Sequence, residues 1–231
     1  MKQDITTIPI SEVLEQTEGC FVCRMRKMLE KRALEYASGS AMMEPDVRIK
    51  MNDLGFCAYH FKKMDETSGR LPFGLVLKSH IEHIENKALK GNMNAKKAQK
   101  AAYKCADINS TCFVCDKIEW AMSRMIKTFF KKYSDEKDLR NMFASQQFLC
   151  LPHYSLMIEE GKRELDKKSY EEFCNTAGDM CKKYLKTLEE DITVFCNMFD
   201  YRNSGGDMDN SRGEGAISRA IEFLGGNFFL D

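Results

Sequence analysis

Eight residues of this 231-residue chain have the types and spacing to bind metal. The tetrapeptide CFVC occurs twice, at Cys20 to Cys23 and at Cys112 to Cys115, and each copy is followed downstream by a Cys-x-x-His, at Cys57 and His60 and at Cys150 and His153. Two cysteines separated by two residues can place both sulfurs on one ion while the backbone turns between them, and a Cys-x-x-His at a helix start does the same from the opposite side. Three thiolates and one imidazole complete the tetrahedral shell of zinc and leave no vertex for a reactive water, which marks a scaffold rather than a Lewis acid. The expectation is two zinc ions per chain, one held by Cys20, Cys23, Cys57 and His60 and the other by Cys112, Cys115, Cys150 and His153. Exchanging the two half-sites would satisfy the same chemistry.

Other chemistries fit these thiols less well. An iron–sulfur cluster, with one histidine replacing a cysteine, is the alternative and would make the chain a redox, electron-transfer or sensor protein, but the closely spaced cysteine runs of ferredoxins are absent. Thioredoxin-like exchange needs a strand-to-helix setting that the sequence does not offer. Haem attachment needs a histidine directly after the second cysteine, where Arg24 and Asp116 stand.

The ligand pairs lie in a longer internal repeat. Aligning Cys20 with Cys112 superimposes Asp46-Val-Arg48 on Asp138-Leu-Arg140, and the units read C-x2-C-x33-C-x2-H and C-x2-C-x34-C-x2-H. Near-equal spacings in the same ligand order indicate duplication. The recurring Asp-x-Arg has two readings, either as groups that orient the imidazole and offset thiolate charge or as an acidic first turn of a short helix.

The elements that must position these ligands are helical. Val22, Met25, Leu29, Ala33 and Tyr36 recur at steps of three and four, as do Val114, Ile118, Met122, Met125 and Phe129. Gly39 can stop the first of these helices, and Pro45 and Pro152 suit first-turn positions. Leu77, Ile81, Ile84 and Ala88 form another stripe, and Phe173, Ala177, Cys181, Tyr184, Leu188, Ile192, Phe195 and Phe199 predict a final helix near 30 residues long. Only ITTIPI at residues 5–10 reads as extended, and residues 203–215 read as a flexible loop, with DMDNSRGEG lacking the glycine and glutamate of a calcium loop. The fold expected is all-α: two tandem pseudo-repeated helical metal-binding units over residues 1–90 and 91–168, the second with a basic connector, and a C-terminal long-helix segment over 169–231 that packs on both.

Composition narrows the partners. Lys plus Arg equals Asp plus Glu at 35 each, so no global field favours nucleic acid or an anionic membrane. Residues 87–104 hold six lysines and no acidic residue, yet only one aromatic and no arginine, so specific nucleic-acid recognition is not expected and the partner is an unknown protein or small ligand. No stretch of about 18 apolar residues is present for a membrane span, and the N-terminus lacks the apolar run of a secretory signal, which points to the cytoplasm and to reduced thiols. Of the remaining cysteines, Cys105 lacks a short-range partner and Cys174, Cys181 and Cys196 lie on or beside the last apolar stripe, where packing is expected; His80 and His83 read as a packed or solvated pair.

The stretches MMEPDVRIK and GFCAYH, with CFVC upstream and FCNMFDYRN near the C-terminus, resemble an uncharacterised bacterial family of cysteine-rich helical proteins. The resemblance implies no activity, and the preferred function is a zinc-stabilised helical binding or regulatory module without catalysis.

Overall fold

The computed structural model describes residues 8–199 and 211–226, and the described chain is all-α. Eleven α-helices are present among these residues, with no strand and one isolated parallel bridge, Cys20 to Phe148. None of the described helices is long and apolar enough to cross a membrane.

The chain forms two compact units. Residues 28–122 make one, here the insert unit, and the segments on either side of it, 1–27 and 123–231, make the other, here the terminal unit. The divisions fall inside two helices, α2 (Phe21–Ser38) and α7 (Phe113–Asp135).

The terminal unit contains α1 (Ile8–Glu15), the start of α2, the end of α7, α8 (Lys137–Ala144), α9 (Leu151–Glu164), α10 (Lys167–Asn197) and α11 (Ala216–Gly225). The extended reading of ITTIPI is corrected from Ile8 onward, and residues 5–7 lie outside the described residues. Ile10, Val13 and Leu14 follow the helical step of three and four and are buried, so a one-sided apolar stripe overrides the local β-branched composition. Most of the loop expected at 203–215 is likewise outside the described residues, and 211–215 form turns. Phe21, Phe129, Phe130, Tyr133, Phe143 and Phe173 build an aromatic core with neighbouring ring centroids 5.0–6.4 Å apart. The 31-residue α10 matches the expected length, and Asp166 caps it by accepting from the backbone N–H of Lys168 and Ser169. Its stripe from Phe173 to Leu188 is buried, whereas Phe199 is exposed. Past Leu188 the helix buries Asp191, whose carboxylate accepts from Arg212 and Arg219 and ties the start of the α11 region to α10.

The insert unit contains the rest of α2, a 3-10 turn (Ser40–Met43), α3 (Pro45–Leu54), α4 (Ala58–Thr67), α5 (Arg70–Lys87), α6 (Ala95–Asn109) and the start of α7. Gly39 follows α2, and Pro45 and Pro152 occupy first-turn positions of α3 and α9. The stripe expected on α5 holds in part: Ala88 is buried and Leu77 and Ile84 are half-buried, but Ile81 faces solvent, and Val76 and His80 take buried positions. The imidazole of His80 packs edge-on against Phe56 and beside Phe61, so a polar residue fills a place the apolar pattern would give to its neighbour.

Candidate metal centres

Each cysteine knuckle ends where a helix begins. Cys20 and Cys112 immediately precede α2 and α7, while Cys23 and Cys115 sit in their first turns. Cys57 and Cys150 are the N-cap residues of α4 and α9, which puts His60 and His153 in the first turn, on the same side as the N-cap sulfur. Buried rings seat the knuckles: Phe21 and Phe148 adjoin one set, and Phe56 and Phe113 adjoin the other with centroids 6.1 Å apart. Thr111 Oγ1 donates to the Leu54 carbonyl and the Phe113 N–H to the Gly55 carbonyl, clipping the two halves of one centre together at 2.7 and 2.9 Å. Gly55 has φ +59°, which favours glycine, and a Cβ there would lie 3.1 Å from the His80 ring, which would have to shift slightly to admit it. In the terminal unit, the Gln147 N–H donates to the Thr17 carbonyl and the Gly19 N–H to Gln147 Oε1.

The eight expected ligands assemble into two groups of four, and the pairing is the exchanged one. Cys20, Cys23, Cys150 and His153 form site A in the terminal unit, and Cys57, His60, Cys112 and Cys115 form site B in the insert unit. The within-repeat pairing is therefore corrected. Spacing picked out the eight residues that cluster, but each CFVC meets the Cys-x-x-His expected with the other one because the chain between Cys57 and Cys115 folds as its own unit. In site A, His153 Nδ1 lies 3.5, 3.3 and 3.2 Å from the sulfurs of Cys20, Cys23 and Cys150, and the Cys23 and Cys150 sulfurs are 3.7 Å apart. In site B, His60 Nδ1 lies 3.2, 3.3 and 3.4 Å from Cys57, Cys112 and Cys115.

The two sites differ in surroundings. All four side chains of site A are buried, whereas Cys57 and Cys115 of site B are partly exposed. The outer nitrogen of His60, Nε2, is 3.1 Å from Glu30 Oε1, and Tyr59 Oη donates to the other oxygen of that carboxylate. A carboxylate on the far side of a ligating imidazole fixes its tautomer and orientation and raises its basicity. Glu30 was not singled out in the sequence. It stands two helical turns past Cys23 and gives no spacing signal to either Cys57 or His60.

The Asp-x-Arg motif has the other of its two readings. Asp46 and Asp138 sit in first turns, of α3 and α8, where an acidic side chain favours the helix dipole. Arg48 donates to the Met42 carbonyl just upstream of α3 and to the Leu75 carbonyl and Ser79 Oγ of α5, and Arg140 donates to the Tyr133 and Ser134 carbonyls just upstream of α8, so both guanidiniums brace backbone around their own helices. Near site A the guanidinium in play is Arg24, which donates to the carbonyls of Val13, Gln16 and Glu18 and to Gln146 Oε1. Burial lowers its pKa, and the charges of Cys20 and Cys23 oppose that shift. His80 and His83 join neither ligand group. Of the other cysteines, Cys181 is buried as expected, Cys105 and Cys174 are partly exposed, and Cys196 faces solvent because the buried stripe of α10 ends before it.

The thiols of each group compete for charge. Burial pushes Cys20 upward, but hydrogen bonds from Cys150, Cys23 and His153 outweigh it and hold this thiol well below its ordinary value. Cys150 is raised, first by Cys20 and Cys23 and then by burial. At site B, burial opposes ionisation of Cys112, yet hydrogen bonding to His60 and the backbone brings it to about 6, while burial and the neighbouring Cys112 raise Cys115 to about 12. Burial disfavours the charged His60, but Cys112 and Glu30 raise it to about 10. Three thiols in contact cannot all ionise beside one another without a cation, so the donor sets are suited to a positive ion.

The family model for a family of unknown function, DUF6062, matches residues 1–231. The chain belongs to this family. No curated protein and no solved structure matches it. Within a family of unknown function, the two Cys/His groups are the features of this chain that carry explicit chemistry, since each can hold a metal ion.

Proposed function

We propose that the protein is a zinc-stabilised helical binding or regulatory module without catalytic activity, holding one zinc ion in site A and one in site B. The observation that carries this reading is the donor spacing. Zinc bonds of ~2.3 Å to sulfur and ~2.0–2.1 Å to nitrogen at tetrahedral angles place sulfurs about 3.8 Å apart and sulfur about 3.6 Å from nitrogen. In site A the Cys23 and Cys150 sulfurs, 3.7 Å apart, and the sulfur–nitrogen separations of 3.2–3.5 Å fit that shell. All donors of each group lie within 4.8 Å of one another, which suits a single ion better than a polynuclear cluster whose iron atoms would stand between them. With four protein donors the shell is closed, and the ion acts by holding chain segments together.

The duplicated ligand order supports descent of both sites from one repeat. Of the lysines of residues 87–104, the exposed Lys96, Lys97, Lys100 and Lys104 lie on α6, which buries only Ala101 and Ile108, and the partner we favour is a protein or small ligand rather than a specific nucleic acid. Elemental analysis of protein purified without added metal tests the reading. Two zinc ions per chain and a colourless protein are expected. Iron with visible absorbance, or fully reactive thiols with little metal, would overturn it.

A further inference from the structure

The exposure of the two sites is unequal in a way that assigns them different behaviour. The ligands of site A have relative exposures of 1% for Cys20, 3% for Cys23, 0% for Cys150 and 4% for His153. At site B the buried members are Cys112 and His60, while Cys57 and Cys115 reach solvent. Site B also has a redox-competent geometry. Cys112 stands just before α7 and Cys115 in its first turn, so the pair is separated by one turn of backbone. A disulfide accepts Cα separations of ~4.4–6.8 Å, which a Cys-x-x-Cys at a helix start meets without moving either helix end. The Cys57 sulfur lies within 4.8 Å of both but comes from a separate segment, the N-cap of α4, whereas Cys112 and Cys115 share one helix start.

Resting on the zinc reading above, we propose that site B is a peroxide-sensitive modification site: hydrogen peroxide converts Cys112 and Cys115 to a disulfide and releases the site B zinc, while site A keeps its ion. The partly exposed Cys115 sulfur attacks one peroxide oxygen, the O–O bond breaks, and the departing hydroxide takes a proton to become water. Cys115 is then a sulfenic acid. The Cys112 thiolate attacks that sulfur, the S–S bond forms, the S–O bond breaks, and a second hydroxide leaves as water after taking a second proton. Two thiolates lose two electrons in total, and peroxide gains them. Cys57 and His60 alone would then supply two of the four donors, too few to retain the ion. The same steps are blocked at site A because peroxide cannot reach its sulfurs, and oxidation follows access to the thiolate.

The test is a peroxide titration of the zinc-loaded full-length protein. Zinc content is measured first, released zinc is followed with a chromogenic chelator, and disulfides are located by peptide mapping without reductant. One zinc per chain is expected to leave at least about tenfold faster than the other, together with a Cys112–Cys115 linkage, and a dithiol with added zinc should restore two ions per chain. Exposed Cys196 will also oxidise, and mapping separates it from the site. Fewer than two zinc ions before peroxide is added would refute the zinc reading itself. Two ions at the start, followed by parallel release of both, by a Cys20–Cys23 linkage, or by no release while Cys196 oxidises, would overturn this proposal and leave the zinc reading standing.

Discussion

The exchanged pairing makes a prediction that tandem pairing reverses. Replacing Cys20 and Cys150 together by serine removes two ligands from site A alone, so the variant is expected to keep one zinc ion. Replacing Cys20 and Cys57 removes one ligand from each site, and neither ion should survive gel filtration with a chelator. The energetics follow the same division. Site A joins residues 127 apart in sequence and site B residues 52 apart. A clip across such loops removes chain entropy as (3/2)RT ln n, about 4 kcal/mol for site A and about 3.5 kcal/mol for site B. Within-repeat pairing, with roughly 34-residue loops, would give about 3 kcal/mol for each. Because one lost ligand already disables a site, the Cys20→Ser and Cys150→Ser effects on denaturant unfolding should overlap, the double variant being within about 1 kcal/mol of either single one. The Cys20→Ser and Cys57→Ser effects should add. The assay is zinc content and urea unfolding of the two double variants and their parents. One ion retained in Cys20→Ser/Cys57→Ser, with none in Cys20→Ser/Cys150→Ser, would refute the assignment of ligands to sites.

Three further outcomes are expected. Glu30→Gln should weaken zinc binding at site B by about 10–100-fold in chelator competition and leave site A unchanged, because only His60 loses its carboxylate partner. Asp191→Ala should lower stability by about 1–3 kcal/mol in thermal unfolding, less than a fully buried pair would cost because Arg212 and Arg219 keep contact with water. Gly55→Ala should cost about 1–3 kcal/mol by forcing a Cβ into the left-handed region against the His80 ring, and should be read in the zinc-loaded protein by the same method.

Much of this architecture was legible because helices announce themselves by a period. The runs from Val22 and Val114 reproduce as α2 and α7, and the stripe from Phe173 to Leu188 as the buried face of α10. The ligands were legible because only a few residue types bind soft metal ions, and their spacing repeats. The pairing was not, since two half-sites of identical chemistry give no preference until the chain between them has folded. Ile81 shows the limit of pattern reading at finer scale: it stands on the apolar stripe yet faces solvent, because the neighbouring His80 packs edge-on against Phe56 and takes the inward position. Glu30 had no signal because surface carboxylates are common on helices, and what distinguishes this one is its distance to His60 Nε2.

X-ray absorption at the zinc edge on protein purified without added metal tests the central claim most directly. The account predicts a shell of three sulfurs at ~2.3 Å and one nitrogen at ~2.0–2.1 Å around each ion, with no metal neighbour at bonding range. A shell of oxygen and nitrogen alone, or an iron edge with an iron–iron distance, would contradict it.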